Sequence, residues 1–397
     1  MKRIAQAGIG ILLGLAVSAA LLVLADQYLL GSLSLPHIPT SFGETSSKHS
    51  PIHFQLAPLS TPSKDKVYSP SEMVKALIPL GNGVFHHVYD ENTEERLEEA
   101  KWMYFDSDLG RNELPFAKAR HQLRQGNRFI FNVEYRADQF GRRITPISRT
   151  AAKKFIALFG CSMTFGHGLH EDETLPYFLG KLLPDFMPYN YAVGGTGTAF
   201  SLARMQQKKL PIEIAQKQGI GLYMYIDDHL GRSIGNSFWS TVTPGAPNYF
   251  LDSSGVLQRD GSFASAHPIR SFFYRIFYES NLSKRLGIML PPYVSDSHRN
   301  LICAMMENMK TEFLQQFPGS QFYVGFLPVS GRDFDSLSAC LAKRNVPYLD
   351  LRNSIEGYTV PMSLAVDHHP TPQANQAIAS AIVQLLKENT SLSTPTR

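Results

Sequence analysis

Along the second half of the chain, short apolar-rich runs alternate with stretches whose apolar residues recur every three to four positions. The runs lie at 155–159, 187–193, 221–226, 321–327 and 346–351. The helical-period stretches lie at 174–183, 201–217, 300–317, 334–344 and 373–386. Short apolar runs alternating with helical stretches predict βα units, and so a mainly parallel sheet covered by helices. Glu171, Asp172 and Glu173 stand where a helix starting near 174 has its positive N-terminal end, which favours carboxylates. Ile302, Met305, Met306, Met309 and Phe313 fall near helical spacing and read as a core face rather than a cofactor box.

The first part of the chain has a different pattern. Residues 4–25 are apolar apart from Gln6 and Ser18, with Lys2 and Arg3 before them and Asp26 after. As a helix this stretch is about 33 Å long at 1.5 Å per residue, enough to cross a bilayer core. It exceeds the apolar part of a typical cleaved signal, although Ala19, Ala20 and Ala25 keep cleavage open. The basic residues ahead of it predict a cytoplasmic N-terminus, with the remainder of the chain outside. The expected division is 1–30 for the cytoplasmic end and transmembrane anchor, 31–75 for a Pro/Ser/Thr-rich linker, and 76–150 for an accessory segment containing β structure. An α/β domain follows over 151–390, with an insertion at 231–300 and a polar tail at 391–397. Within the accessory segment, 91–101 reads as an acidic, solvated helix and 129–144 as strand, turn, strand. The insertion is expected to hold strands at 248–251 and 255–258 and an aromatic helix at 269–278. It can act as a lid. Trp239, Tyr249, Phe272, Phe273 and Tyr274 can stack on sugars, but they read more readily as the insertion's own core.

Charge and cysteine usage narrow the picture. A net charge of +4 over 397 residues, with no Lys/Arg-rich run, argues against nucleic acid as a partner. The three cysteines are Cys161, Cys303 and Cys340, and an odd number excludes a fully paired framework. Cys303 and Cys340 can pair in an oxidising compartment, but the sequence does not fix their separation.

Two stretches carry candidate chemistry. In FIALFGCSMTFG (155–166) an apolar run stops at Gly160, and Ser162 follows before Gly166. Residues just past a buried strand lie at the carboxyl edge of a sheet, where α/β folds bind ligands. Ser162 there is either an approachable hydroxyl or a helix cap, and its neighbour Cys161 is an alternative nucleophile. In VDHHPTPQANQAI (366–378), Asp367 and His369 are two apart before Pro370. An extended pair at this spacing projects to one side. A carboxylate beside an imidazole fixes its tautomer, and a serine is a weak nucleophile without such a base. Two further strand ends bear on the site. Gly194-Gly195-Thr196-Gly197 is not a dinucleotide fingerprint, because Phe200 stands where GxGxxG requires glycine; it reads as a turn whose N–H groups face the site. The run 221–226 ends in Asp227, Asp228 and His229, a group that can also be read as metal ligands.

Gly160, Ser162 and Gly166 resemble the first block of the SGNH (GDSL-like) hydrolases, with Cys161 where many members carry Asp. Asp367, His369 and Pro370 resemble the last block, again followed by a helix. The resemblance spans roughly 153–387. It implies a three-layer α/β/α fold with a flavodoxin-like parallel sheet, Ser162 as nucleophile, His369 as base and Asp367 as its orienting partner. It also implies that the N–H groups of Ser162 and Gly195 hold the oxyanion, and that no cofactor is needed. The third oxyanion donor of the family is an asparagine, and Asp227 occupies its place here, with Tyr225 in place of a glycine. An ionised carboxylate accepts hydrogen bonds and repels an oxyanion, which leaves three readings: Asp227 is protonated, another donor such as His229 substitutes, or the site is weakened. A Tyr135-x-x-Asp138-x-x-Gly141-x-Arg143 turn is similar to turns that precede the serine block in some membrane-anchored SGNH proteins. The expected protein is a membrane-anchored, extracytoplasmic serine esterase acting on an ester of an envelope glycan or lipid. Three alternatives stay open at this point: an O-acyltransferase with the same triad, a non-catalytic glycan-binding protein, and a metal-dependent hydrolase using Asp227, Asp228 and His229.

Overall fold

The computed structural model describes residues 84–90, 103–106, 108–125, 128–149, 151–357, 361–365 and 367–392. The expected anchor at 4–25, the linker at 31–75, the acidic helix at 91–101 and the end of the tail at 393–397 lie outside the described residues. Among the described residues, no helix is long and apolar enough to cross a membrane.

Among the described residues, five strands precede the α/β domain: β1 (Val84–Asp90), β2 (Met103–Asp106), β3 (Gly110–Glu113), β4 (Lys118–Gln125) and β5 (Arg128–Arg136). β2 and β3 form an antiparallel hairpin. β4 lies between β5, antiparallel to it, and β1, parallel to it. The strand expected after the turn at Asp138 does not form, and only the isolated bridges Ala137–Arg143 and Arg143–Asn190 appear. Asp138 Oδ1 accepts from the N–H groups of Phe140 and Arg142 and curls the chain back. The two arginines then turn inward, and Arg143 is only 2% exposed.

The main sheet uses β6 (Lys154–Phe159), β7 (Phe186–Asn190) and β8 (Gln218–Tyr225), then two later strands. Successive residues of β6 point to opposite faces, as the strand period requires. Phe155, Ala157 and Phe159 join one core, and Ile156 and Leu158 the other. After β6 come α1 (Ser162–Phe165) and α2 (Leu175–Leu182), and after β7 comes α3 (Thr198–Gln206). The helix expected over 201–217 is broken. Lys208 takes a left-handed backbone (φ 58°), and Pro211 then starts the separate turn α4 (Leu210–Glu213). α5 (Asp228–Ile234) follows β8.

The insertion contains the hairpin β9 (Pro247–Leu251) and β10 (Leu257–Ser262), then α6 (Phe263–Ala266), α7 (Pro268–Glu279) and α8 (Asn281–Leu286). Its aromatics do not form a core of their own. Tyr249 is buried in a core of the main domain, whereas Phe272 and Phe273 are exposed. The remaining elements are α9 (Asp296–Gln316), β11 (Gln321–Phe326), α10 (Phe334–Lys343), β12 (Tyr348–Asp350) and α11 (Pro372–Leu392). α9 starts four residues before the expected 300 because Ser295 caps it, accepting from the His298 N–H. α11 continues past the expected end into residues assigned to the polar tail.

The sheet order is β12-β11-β8-β6-β7, with every pairing parallel. Counted along the chain this is 5-4-3-1-2, the flavodoxin order. One core lies between the sheet and α3, α9 and α10, and the other between the sheet and α2 and α11. The order reverses at β6: the next strand lies on one side and the third on the other. The crevice outside the carboxyl ends of β6 and β8 is therefore where such a sheet binds ligands. Cys303 on α9 and Cys340 on α10 are joined as a disulfide, with their Cα atoms 6.3 Å apart.

Candidate active site

β6 must end in glycine. A Cβ on Gly160 would lie 2.6 Å from Thr164 Oγ1 and 3.1 Å from the Met224 carbonyl, and φ there is +153°. The chain then turns into α1, and Ser162 is its first residue. The N–H of a first helical residue has no carbonyl one turn earlier to bond, so the Ser162 N–H is directed out of the helix start. At the other end Gly166 takes the left-handed conformation and its N–H bonds the Ser162 carbonyl at 3.1 Å. The carbonyls past that turn are held by Arg143. Its Nη1 donates to Phe165 O at 2.7 Å and Gly166 O at 2.5 Å, and its Nη2 to Leu169 O at 2.6 Å.

The second stretch meets this turn. His369 Nε2 lies 2.8 Å from Ser162 Oγ, and His369 Nδ1 lies 2.7 Å from Asp367 Oδ2. The Asp367–His369 segment is not extended as expected. His368 between them has φ 58°, and the loop closes through Leu364 N–H to His369 O and His368 N–H to Leu364 O. Asp367 and His369 therefore face the serine from a turn. Burial pushes the Asp367 carboxyl up, but the imidazoles of His167, His369 and His121 outweigh it and hold the group well below the ordinary carboxylate range.

His167, which sequence reasoning passed over, is part of this cluster. Its Nε2 is 3.7 Å from Asp367 Oδ1, and its ring lies 4.5 Å from that of His369, tilted by 35°. His121 of β4 meets His167 edge-on at 4.6 Å, and Phe131 of β5 does so at 5.5 Å. The Tyr135 hydroxyl accepts from Gly168 N–H at 2.7 Å. Leu123, Phe131, Val133 and Tyr135 form one core with Phe165 and Ala192. The accessory sheet is thus a wall of the site. The signal available in sequence was the FGHG run directly after the serine helix; His121 had none.

Gly195 also lies beside the strand end. Val193 N–H and Thr196 Oγ1 both donate to Gly160 O. The carbonyls of this turn face two guanidinium groups: Arg111 Nη1 donates to Gly194 O at 3.2 Å and Arg232 Nη1 to Thr196 O at 2.6 Å. Gly195 has φ +76°, a left-handed backbone that favours glycine, and a Cβ there would press on Arg111 Nη1 at 2.4 Å. Burial, then the nearby Arg232 charge, brings the Arg111 pKa down to about 10, and it stays cationic at neutral pH.

Asp227, Asp228 and His229 point to different partners. Asp227 Oδ2 accepts from Arg332 N–H at 3.0 Å, and burial raises its carboxyl pKa against the opposing effect of Arg332. Asp228 pairs with Arg232 at 3.5 Å. His229 is fully buried, with Nδ1 2.7 Å from the Tyr223 hydroxyl, and burial followed by the Arg232 charge holds it neutral. The reading of these three as a metal site is therefore corrected. Among the described residues, the ligand atoms that converge are those of His167, Asp367 and His369, within 4.8 Å of one another. Cys161 is completely buried, so it is not an accessible nucleophile.

No family model and no curated protein matches the chain. Solved structures similar to it include TesA, at 13% identity over 59% of this chain and 99% of that one, with a TM-score of 0.33. A lipolytic protein of the G-D-S-L family from Veillonella parvula is 10% identical over 59% of this chain and 98% of its own, at 0.36. The acetyl xylan esterase Est2A from Butyrivibrio proteoclasticus is 11% identical over 62% of this chain and 66% of its own, also at 0.36. Likenesses at this level assign neither family nor activity; the chemistry is argued from the site itself.

A hydroxyl in contact with an imidazole, which in turn contacts an ionised carboxylate, can transfer an acyl group. The histidine takes the hydroxyl proton as the oxygen attacks a carbonyl, and the carboxylate stabilises the imidazolium.

Proposed function

We propose that the chain is a membrane-anchored, extracytoplasmic serine esterase of the SGNH type, acting on an ester of an envelope glycan or lipid. The observation that carries this reading is the continuous hydrogen-bonded line Ser162 Oγ, His369 Nε2, His369 Nδ1, Asp367 Oδ2, at 2.8 and 2.7 Å. Ser162 attacks the ester carbonyl as His369 takes its proton, and the tetrahedral oxygen lies against the N–H groups of Ser162 and Gly195. The nearby Arg111 and Arg232 charges favour a negative oxygen there. His369 then returns the proton to the leaving alcohol, and water repeats the sequence to release the acid. The apolar composition of 4–25, with Lys2 and Arg3 before it, and the Cys303–Cys340 bridge support this placement in an oxidising, extracytoplasmic compartment. Exposed Phe238, Phe272 and Phe273 on the insertion supply surface for sugar rings or acyl chains.

The non-catalytic reading draws on one observation, the carboxyl of Asp227 where the resemblance calls for a donor. One experiment separates the two. The full chain in detergent is treated with a serine-reactive fluorophosphonate and assayed on acetylated-glycan and lipid esters, beside Ser162→Ala and His369→Ala. The esterase reading expects labelling and turnover in wild type and a fall of about 10³-fold or more in each variant. A folded wild-type protein that neither labels nor turns over would leave the binding reading in its place.

A further inference from the structure

We infer that His167, Asp367 and His369 form a site for a divalent transition-metal ion, zinc above all, and that filling it turns Ser162 off. The inhibitory half of this inference rests on the esterase reading above; the binding half does not. Two imidazoles and one carboxylate are a donor set that zinc takes, with water completing a tetrahedron. Bonds of about 2.0–2.1 Å put tetrahedral ligand atoms about 3.3 Å apart. His167 Nε2 is already 3.7 Å from Asp367 Oδ1, and His369 Nδ1 is 2.7 Å from Oδ2. The whole set lies within 4.8 Å, so small side-chain rotations close it. The three side chains are 20%, 15% and 17% exposed, so an ion can arrive from solvent. The edge-on contacts of His121 and Phe131 hold the His167 ring in place.

The consequence follows from the tautomer of His369. In the active arrangement the neutral ring carries its proton on Nδ1, donated to Asp367, and Nε2 accepts from the Ser162 hydroxyl. A metal ion on Nδ1 needs the lone pair there, so the proton moves to Nε2. No proton leaves the ring and nothing is oxidised. Nε2–H now donates to Ser162 Oγ and cannot take its proton. The ion also offsets the Asp367 charge that would stabilise the imidazolium. The nucleophile is disabled while the acyl-binding surface stays open.

The test uses the full chain, zinc chloride as the only added metal, and the variants His167→Gln and His167→Asn. Competition with a chromophoric chelator counts bound ions directly. Fluorophosphonate labelling rates with zinc, with EDTA and with magnesium report on the serine. We expect one fewer bound ion in both variants than in wild type. Wild-type labelling should slow at least tenfold at saturating zinc, recover with EDTA and ignore magnesium. Residual labelling of the variants should require at least tenfold more zinc to slow. Equal ion counts in wild type and a folded variant would overturn the site. Equal zinc midpoints would overturn the switch. If wild type never labels, the esterase reading fails, and the chelator count still decides the metal site.

Discussion

Asp367 shows how much of this site depends on one carboxyl group. Three imidazoles hold its pKa below the usual carboxylate range, so it stays ionised at neutral pH and into mild acid. The folded value lies below the unfolded value of about 3.9. The stabilisation is therefore complete above about pH 4 and is lost as pH falls through the depressed folded value. Asp367→Asn should flatten the acid side of the melting-temperature profile, losing less between pH 5 and pH 2 than wild type does. The same variant should turn over a chromogenic ester about 10³- to 10⁴-fold more slowly, because His369 loses the partner that sets its tautomer. Ser162, Asp367 and His369 were legible because each sits in a short run with its own turn residues. His167 was half legible, in FGHG. Arg143 was legible as the end of the Tyr135 to Arg143 turn, but not its grip on the carbonyls of 165–169; Arg111 and Arg232 were not legible, since each acts on a carbonyl tens of positions away and an arginine between Gly and a polar residue reads as surface.

At the scale of elements, the strands of the main sheet were legible to within a few residues because burial on both faces leaves continuous apolar runs. What failed were boundaries set by single residues: Lys208 and Pro211 splitting a helix, Ser295 starting one early, Asp138 curling a chain expected to run on as a strand. The accessory sheet was expected as a neighbour of the domain, and instead its β4 and β5 build a side of the site. The joint depends on Arg143, wedged between Tyr135 and Phe165 with its guanidinium 4.5 Å from each ring centroid. Arg143→Met would keep the volume but leave the carbonyls of Phe165, Gly166 and Leu169 without their donor. We expect a loss of about 3 kcal/mol or more in urea unfolding. A larger fractional fall in ester turnover than in the folded fraction would show that the serine helix has shifted.

For the molecule as a whole, the flavodoxin order places the crevice where Ser162 and His369 meet; the periodicity foretold the parallel sheet, whereas the strand order was an expectation of the resemblance alone. The disulfide was an open option in the sequence, because 37 residues separate its cysteines and spacing alone says nothing of distance. Closing a loop of that size stabilises by about 3–4 kcal/mol in the chain-entropy account. Cys303→Ser with Cys340→Ser, or reduction with dithiothreitol, should therefore lower the melting temperature by several degrees while leaving the labelling rate of the folded protein unchanged. The bridge joins α9 to α10, and neither helix supplies a residue of the Ser162–His369–Asp367 line. A loss of labelling at temperatures where the reduced protein is still folded would contradict this separation.

The Ser162–His369 hydrogen bond joins positions 207 residues apart, and that has a consequence in time as well as in space. During synthesis the serine emerges long before its base. Until the last loop and α11 close over the second core, Ser162 is an ordinary alcohol. An unfinished chain is chemically silent. Reactivity begins only when the final segment docks, so the order of the sequence acts as a safety catch on the enzyme it encodes.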